Sequence, residues 1–181
     1  MSRAAAFIEA YPNAEIRGGM IVAIQQALGA AAAPYFARAG FVDVSPNGWY
    51  SLTNYLQVLY EIFEHEPNVM QNMVSLGMST AEHAILPPEI DTLEKGLKAL
   101  EMGWSMNTRS AKPAIWSVQP IDDHNFICVN TSPFPIDQEY GVVYGFARRF
   151  AGGRRCTVAY ENLADRDYPD KEEVRFLVKV G

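Results

Sequence analysis

Cysteine, histidine, positive charge and long apolar runs are all scarce in this chain of 181 residues. Cys128 and Cys156 are too few for a disulfide framework and fall on separate expected strands, so both read as buried free thiols. His65, His83 and His124 have no second Cys or His at ligand spacing, and no zinc or other metal site is expected. The longest apolar run, residues 27–36, is mostly alanine and is broken by Gly29 and Pro34. A bilayer span needs about 20 apolar residues, so no membrane crossing is expected. The opening segment meets Glu9 and Pro12 too early for a secretory signal, which points to the cytoplasm. The sequon Asn130-Thr131-Ser132 then reads as a chance match. Fifteen Lys and Arg stand against 21 Asp and Glu, a net charge of -6, which argues against nucleic acid as a partner. Arg148-Arg149 and Arg154-Arg155 are the tight basic doublets, read first as a solvated helix end and second as a local anion-binding corner.

Catalytic patterns are missing too. There is no Gly-x-Ser-x-Gly elbow, and Gly18-Gly19 neither follows an evident strand nor precedes Gly-Lys-Ser/Thr. Asp137, Glu139 and Glu161 have no partner spacing and read as surface carboxylates. An enzyme is therefore not the favoured reading, and no cofactor is expected.

What is present is 49% hydrophobic residues with 12% aromatics, enough for one globular domain over residues 1–181. The last third reads as a ββαββ unit. Trp116 and Val118 alternate with Ser117 and Gln119, and Asp122-Asp123-His124-Asn125 supplies turn chemistry. Phe126, Cys128 and Asn130 alternate up to Pro133-Phe134-Pro135. Ile136, Tyr140, Val143, Ala147 and Phe150 then mark a helix face that Gly152-Gly153 stops. Cys156, Val158 and Tyr160 suggest a third strand, and Val174, Phe176, Val178 and Val180 a fourth.

The first half reads as helices: residues 4–11, 16–28, 35–40, one capped by Ser51, one capped by Asn68, and one from Pro87-Pro88 to beyond Trp104. The fold class is thus α+β: an N-terminal helical half followed by a four-stranded, mostly antiparallel sheet crossed by a helix. Gly141 and Gly145, one helical turn apart, imply a close approach, to the sheet first, to a second subunit next, and to a ligand last.

Two segments carry a family likeness. One is Ile16-Arg17-Gly18-Gly19-Met20 with the later Trp49-Tyr50-Ser51-Leu52. The other is Cys128-Val129-Asn130-Thr131-Ser132-Pro133-Phe134-Pro135, followed by Tyr140-Gly141-Val142-Val143-Tyr144-Gly145-Phe146. Together with the element order they resemble the superfamily of vinyl-reductase-type ligand-binding domains, which includes haem-nitric-oxide sensors and trafficking-complex subunits. The resemblance implies a sensory or carrier module with a pocket between helices and sheet for a small apolar molecule or a tetrapyrrole. Two departures matter. The closing cysteine pair of the vinyl-reductase type is missing from residues 160–169. The Tyr-x-Ser-x-Arg grip on haem propionates is replaced by Val129-Asn130-Thr131-Ser132-Pro133, so haem is expected to be absent.

Trp49, Tyr50, Tyr55, Met70, Met73, Trp104, Met106, Trp116, Tyr140 and Tyr144 sit on expected inner faces. Flat and pliable side chains of this kind suit a planar apolar ligand. His83 flanks an apolar helix stripe; a structural or surface role comes first for it, ligand contact second, and iron ligation last. The leading expectation is a cytoplasmic sensor for a small hydrophobic molecule, contacted by Trp49, Tyr50, Tyr55, Met73, His83, Trp104, Trp116, Tyr140 and Tyr144. It would act as a homodimer on a downstream signalling partner or output domain. The alternative is a non-catalytic assembly module working through dimerisation. A haem-based gas sensor or a tetrapyrrole enzyme comes third.

Overall fold

The Ser2 hydroxyl accepts from the Ala5 amide at 3.2 Å and starts helix α1 (Arg3–Ala10). This computed structural model describes residues 2–65, 69–166 and 172–181. Asn68, expected as a helix cap, and the side chain of Met70 lie outside the described residues.

Residues expected to open the second helix form instead a short strand, β1 (Glu15–Arg17), and helix α2 (Gly18–Leu28) begins after it. Its first amides are already taken: Gly18 donates to Gly48 O at 2.9 Å and Gly19 to Pro46 O at 2.8 Å. A Cβ at Gly18 would overlap Ser45 O, so the glycine is what lets this loop cap the helix by backbone alone. Helix α3 (Ala33–Arg38) and strand β2 (Trp49–Ser51) follow. Helix α4 (Leu52–His65) starts with Ser51 Oγ accepting from Asn54 N at 3.2 Å. Helix α5 (Val69–His83) ends before Pro87-Pro88, and helix α6 (Leu93–Asn107) starts at a Thr92 cap rather than at the prolines. Strand β3 (Thr108–Arg109) closes a small antiparallel sheet in the order β2-β1-β3.

The C-terminal third is the expected ββαββ unit: β4 (Trp116–Pro120), β5 (Asn125–Asn130), α7 (Ile136–Phe150), β6 (Cys156–Tyr160) and β7 (Val174–Val180). The sheet order is β4-β5-β7-β6, antiparallel throughout, with Cys128 opposite both Val118 and Phe176. Phe126, Cys128, Val174, Phe176, Val178 and Val180 are buried, as their alternation requires.

Helix α7 is packed between the sheet and α5. A Cβ at Gly141 would overlap Val74 O, one at Gly77 would overlap Gln138 O, and one at Gly145 would stand 2.6 Å from Ala81 Cβ. The glycines therefore serve a helix-to-helix approach within the chain, not packing on the sheet, and Phe146 is buried inside the same fold. Among the described residues no helix is long and apolar enough to cross a membrane, and no cluster of His, Cys, Asp and Glu could hold a metal ion.

Candidate functional site

The nine expected contact residues do not converge. Tyr55 and Trp104 belong to one buried ring network: Phe134 lies 6.1 Å from each, Phe7 lies 6.1 Å from Trp104, and Phe36 and Phe41 reach Tyr55 at 6.5 and 6.3 Å. Trp104 Nε1 donates to Lys112 O at 2.6 Å, and Tyr50 Oη accepts from Ser45 N at 2.8 Å. Met73 is fully buried. These side chains fill the space between helices and sheet by packing on one another. Trp49 is covered separately, with the guanidinium carbons of Arg17 and Arg109 at 4.7 and 4.5 Å from its ring centre. His83 is exposed at the end of α5, with Nδ1 2.9 Å from Ser79 O.

Trp116, Tyr140 and Tyr144 belong to a second network, on the sheet side. Trp116 is buried and packs 6.1 Å from Phe176. Tyr140 stacks almost parallel on Tyr144 at 6.4 Å and on Tyr160 at 5.3 Å, and its hydroxyl donates to Val158 O at 3.0 Å.

Sequence reasoning passed over a buried polar knot where β5 turns into α7. Asn130 and Ser132 are fully buried, and Asp137, Gln138 and Glu139 nearly so, which corrects the reading of Asp137 and Glu139 as surface groups. Glu161 does stay exposed, 3.1 Å from Arg175 Nε. Ser132 Oγ donates to Glu139 Oε1 at 2.5 Å and accepts from Phe134 N at 3.1 Å, while Asn130 Oδ1 accepts from Ser132 N. Tyr60 Oη donates to Pro133 O, Tyr160 Oη to Asp137 Oδ1, and Lys112 Nζ to Thr131 Oγ1. Burial pushes the Glu139 carboxyl up to about 7, against the opposing pull of the Ser132 hydrogen bond and of Arg3. Asn130 Nδ2 and Gln138 Oε1 are buried with no hydrogen-bond partner among the described residues. Through Arg3 and Tyr60 the knot acts as a structural joint linking α1 and α4 to the start of α7.

Open space of ligand size lies on the other flank of α7. A groove of about 540 Å³ runs between α7 and the edge strand β6, with Tyr140 and Tyr144 on one wall and Arg148, Arg155 and Cys156 among the rest. Cys156 is half-buried rather than buried; desolvation raises its thiol pKa, and the nearby Arg148 works against that shift. Cys128, by contrast, is fully buried, and burial pushes its thiol up to about 12. A second surface groove of about 310 Å³ lies by α3 and α4, where Arg38 is already paired with Glu61 at 2.6 Å.

No family model and no curated protein matches this sequence. Solved structures do match in fold. An H-NOX protein from S. oneidensis in the Fe(II)NO state superimposes with a TM-score of 0.65 at 7% identity, covering 92% of this chain and 99% of that one. An unliganded Fe(II) H-NOX mutant from K. algicida gives 0.64 at 12% identity, covering 92% and 97%. An H-NOX protein studied for its haem distortion gives 0.60 at 11% identity, covering 90% and 92%. The chain has the H-NOX fold, consistent with the haem-sensor side of the resemblance read from the sequence; the vinyl-reductase side is not confirmed.

Proposed function

We propose that this chain is a ligand-binding sensory domain that takes a planar aromatic molecule in the groove between α7 and β6, and that it works without haem. The observation that carries this reading is the tyrosine stack. Tyr160, Tyr140 and Tyr144 form a row of near-parallel rings, and Tyr144 ends that row at the groove wall. A flat ring laid on Tyr144 extends the stack at little entropic cost, because Tyr140 is already fixed by its hydrogen bond to Val158 O. The groove, about 540 Å³ and open to solvent, leaves room for a ring against Tyr144.

Haem is the group that the H-NOX fold brings to mind, and the residues here do not fit it. His65, His83 and His124 are all exposed. The layer between helices and sheet is occupied by the ring network around Phe134. The β5–α7 corner lacks the Tyr and Arg of the propionate grip and instead buries a carboxylate, Glu139, which engages the nearby Arg3.

The test is a thermal-shift titration with adenosine and riboflavin as neutral planar probes. A ligand that binds only the folded state raises the melting temperature by mass action. The shift is expected in the parent protein and in Gln57→Ala, and expected to vanish in Tyr144→Ala. Absence of any shift in the parent protein would favour the assembly reading instead. That second reading draws on the filled interior and on Met102 and Met106, exposed one turn apart on α6. The glycine argument for a homodimer is spent on α5–α7 packing within the chain, so dimerisation stands or falls on light scattering across a dilution series.

A further inference from the structure

Four arginines frame the C-terminal end of α7, and they are not equivalent. Arg149 is committed elsewhere: its guanidinium donates to Ala81 O and Ala84 O, closing the end of α5. Arg154 is committed as well, with Nε donating to Ala151 O at 2.9 Å and Nη1 lying 2.9 Å from His124 Nδ1. Arg148 and Arg155 are exposed, have no hydrogen-bonded or ion-paired carboxylate among the described residues, and both line the groove that holds Tyr144. Among the described residues no Asp or Glu lines that groove, in a chain whose net charge is -6. The negative end of α7 favours a cation at Arg148. It gives no reason for a second one at Arg155, which lies beyond the glycine turn, next to the start of β6.

We infer that this groove recognises a planar aromatic molecule carrying a phosphate group, with the ring on Tyr144 and the phosphate between Arg148 and Arg155. The inference rests on the groove reading above and adds the anion to it. Two guanidinium groups without carboxylate partners suit a dianion, because each fork offers paired N–H donors matched to phosphate oxygens. The ring and the charge are recognised by different residues, which makes them separable. Cys156 lines the same groove as Arg148 and Arg155.

Cys156 provides a local readout. It is the half-buried cysteine of the two, and Cys128 is fully buried, so alkylation of the native protein by N-ethylmaleimide reports on the groove. Protection of Cys156 would be followed by mass spectrometry against increasing AMP, adenosine and inorganic phosphate. AMP is expected to protect at concentrations at least tenfold lower than adenosine, and that advantage should shrink as salt is raised. In the double variant Arg148→Gln/Arg155→Gln, AMP should lose its advantage and protect no better than adenosine. Equal protection by AMP and adenosine in the parent protein would overturn the anion assignment and leave the groove reading standing. Protection by inorganic phosphate equal to that by AMP would overturn the requirement for a ring. No protection by any of the three would remove the groove reading together with this one.

Discussion

Glu139 is the residue whose behaviour departs furthest from what its neighbours in sequence suggest. It lies in the first turn of α7, among polar residues that read as a solvated helix start, yet it is buried beneath groups from distant parts of the chain. Ser132 donates to it, Arg3 of α1 acts on its charge, its charge in turn helps raise the Tyr60 hydroxyl of α4, and Asp137, Tyr160 and Lys112 complete the polar surroundings of the joint. Arg3 and Tyr60 come from more than seventy positions away, so no local pattern announces this part of the cover. Its carboxyl is raised from 4.5 to about 7, so the folded state holds this proton more tightly than the unfolded one. The stabilisation is full below about pH 4.5 and drains away as pH rises through about 7, a contribution of about 3 kcal/mol at most. Denaturant melts at pH 5 and pH 8 should therefore show the parent protein losing more stability on going to pH 8 than Glu139→Gln does. Equal losses in the two proteins would mean that Glu139 is already ionised at pH 5.

The elements differ in how much of themselves they announce. β4, β5, β6 and β7 were legible because alternation persists over five to seven residues, and α7 because its apolar face repeats over fifteen. β1, β2 and β3 were not, since two or three residues carry no period and their pairing joins Glu15 to Ser51 and Arg109. The glycines of α7 were legible as a close approach, but the partner was misjudged, because Gly77 of α5 answers them from a separate helix. Gly141→Ala would press a methyl group into the backbone of Val74, an overpacking cost of about 1–3 kcal/mol that exceeds the gain in helix propensity. Gly103→Ala in α6, where a Cβ meets nothing, should stabilise instead, by up to about 1 kcal/mol. Urea denaturation of the pair gives opposite signs if α5 and α7 pack as described.

For the whole molecule, the two ring networks separate stability from recognition. The aromatic content was visible in the sequence, but its division into two networks, one around Phe134 and one around Tyr140, depends on how the halves meet. Trp104→Ala should cost about 3–5 kcal/mol of stability and leave probe binding at the groove intact, whereas Tyr144→Ala should do the reverse. Thermal melts with and without AMP measure both effects at once. A haem titration followed in the Soret region should give no stoichiometric complex, and a complex abolished by His83→Ala would restore the gas-sensor reading. The strand order carries one more consequence, for the chain as it is made. β6 is an edge strand whose neighbour, β7, follows it in sequence and must insert between it and β5. On the ribosome β4 and β5 can pair as soon as they emerge, but β6 waits with its backbone unpaired until residue 180 is free. Nascent chains halted short of β7 would carry two open strand edges, the form in which this protein is most exposed to aggregation and most in need of a chaperone.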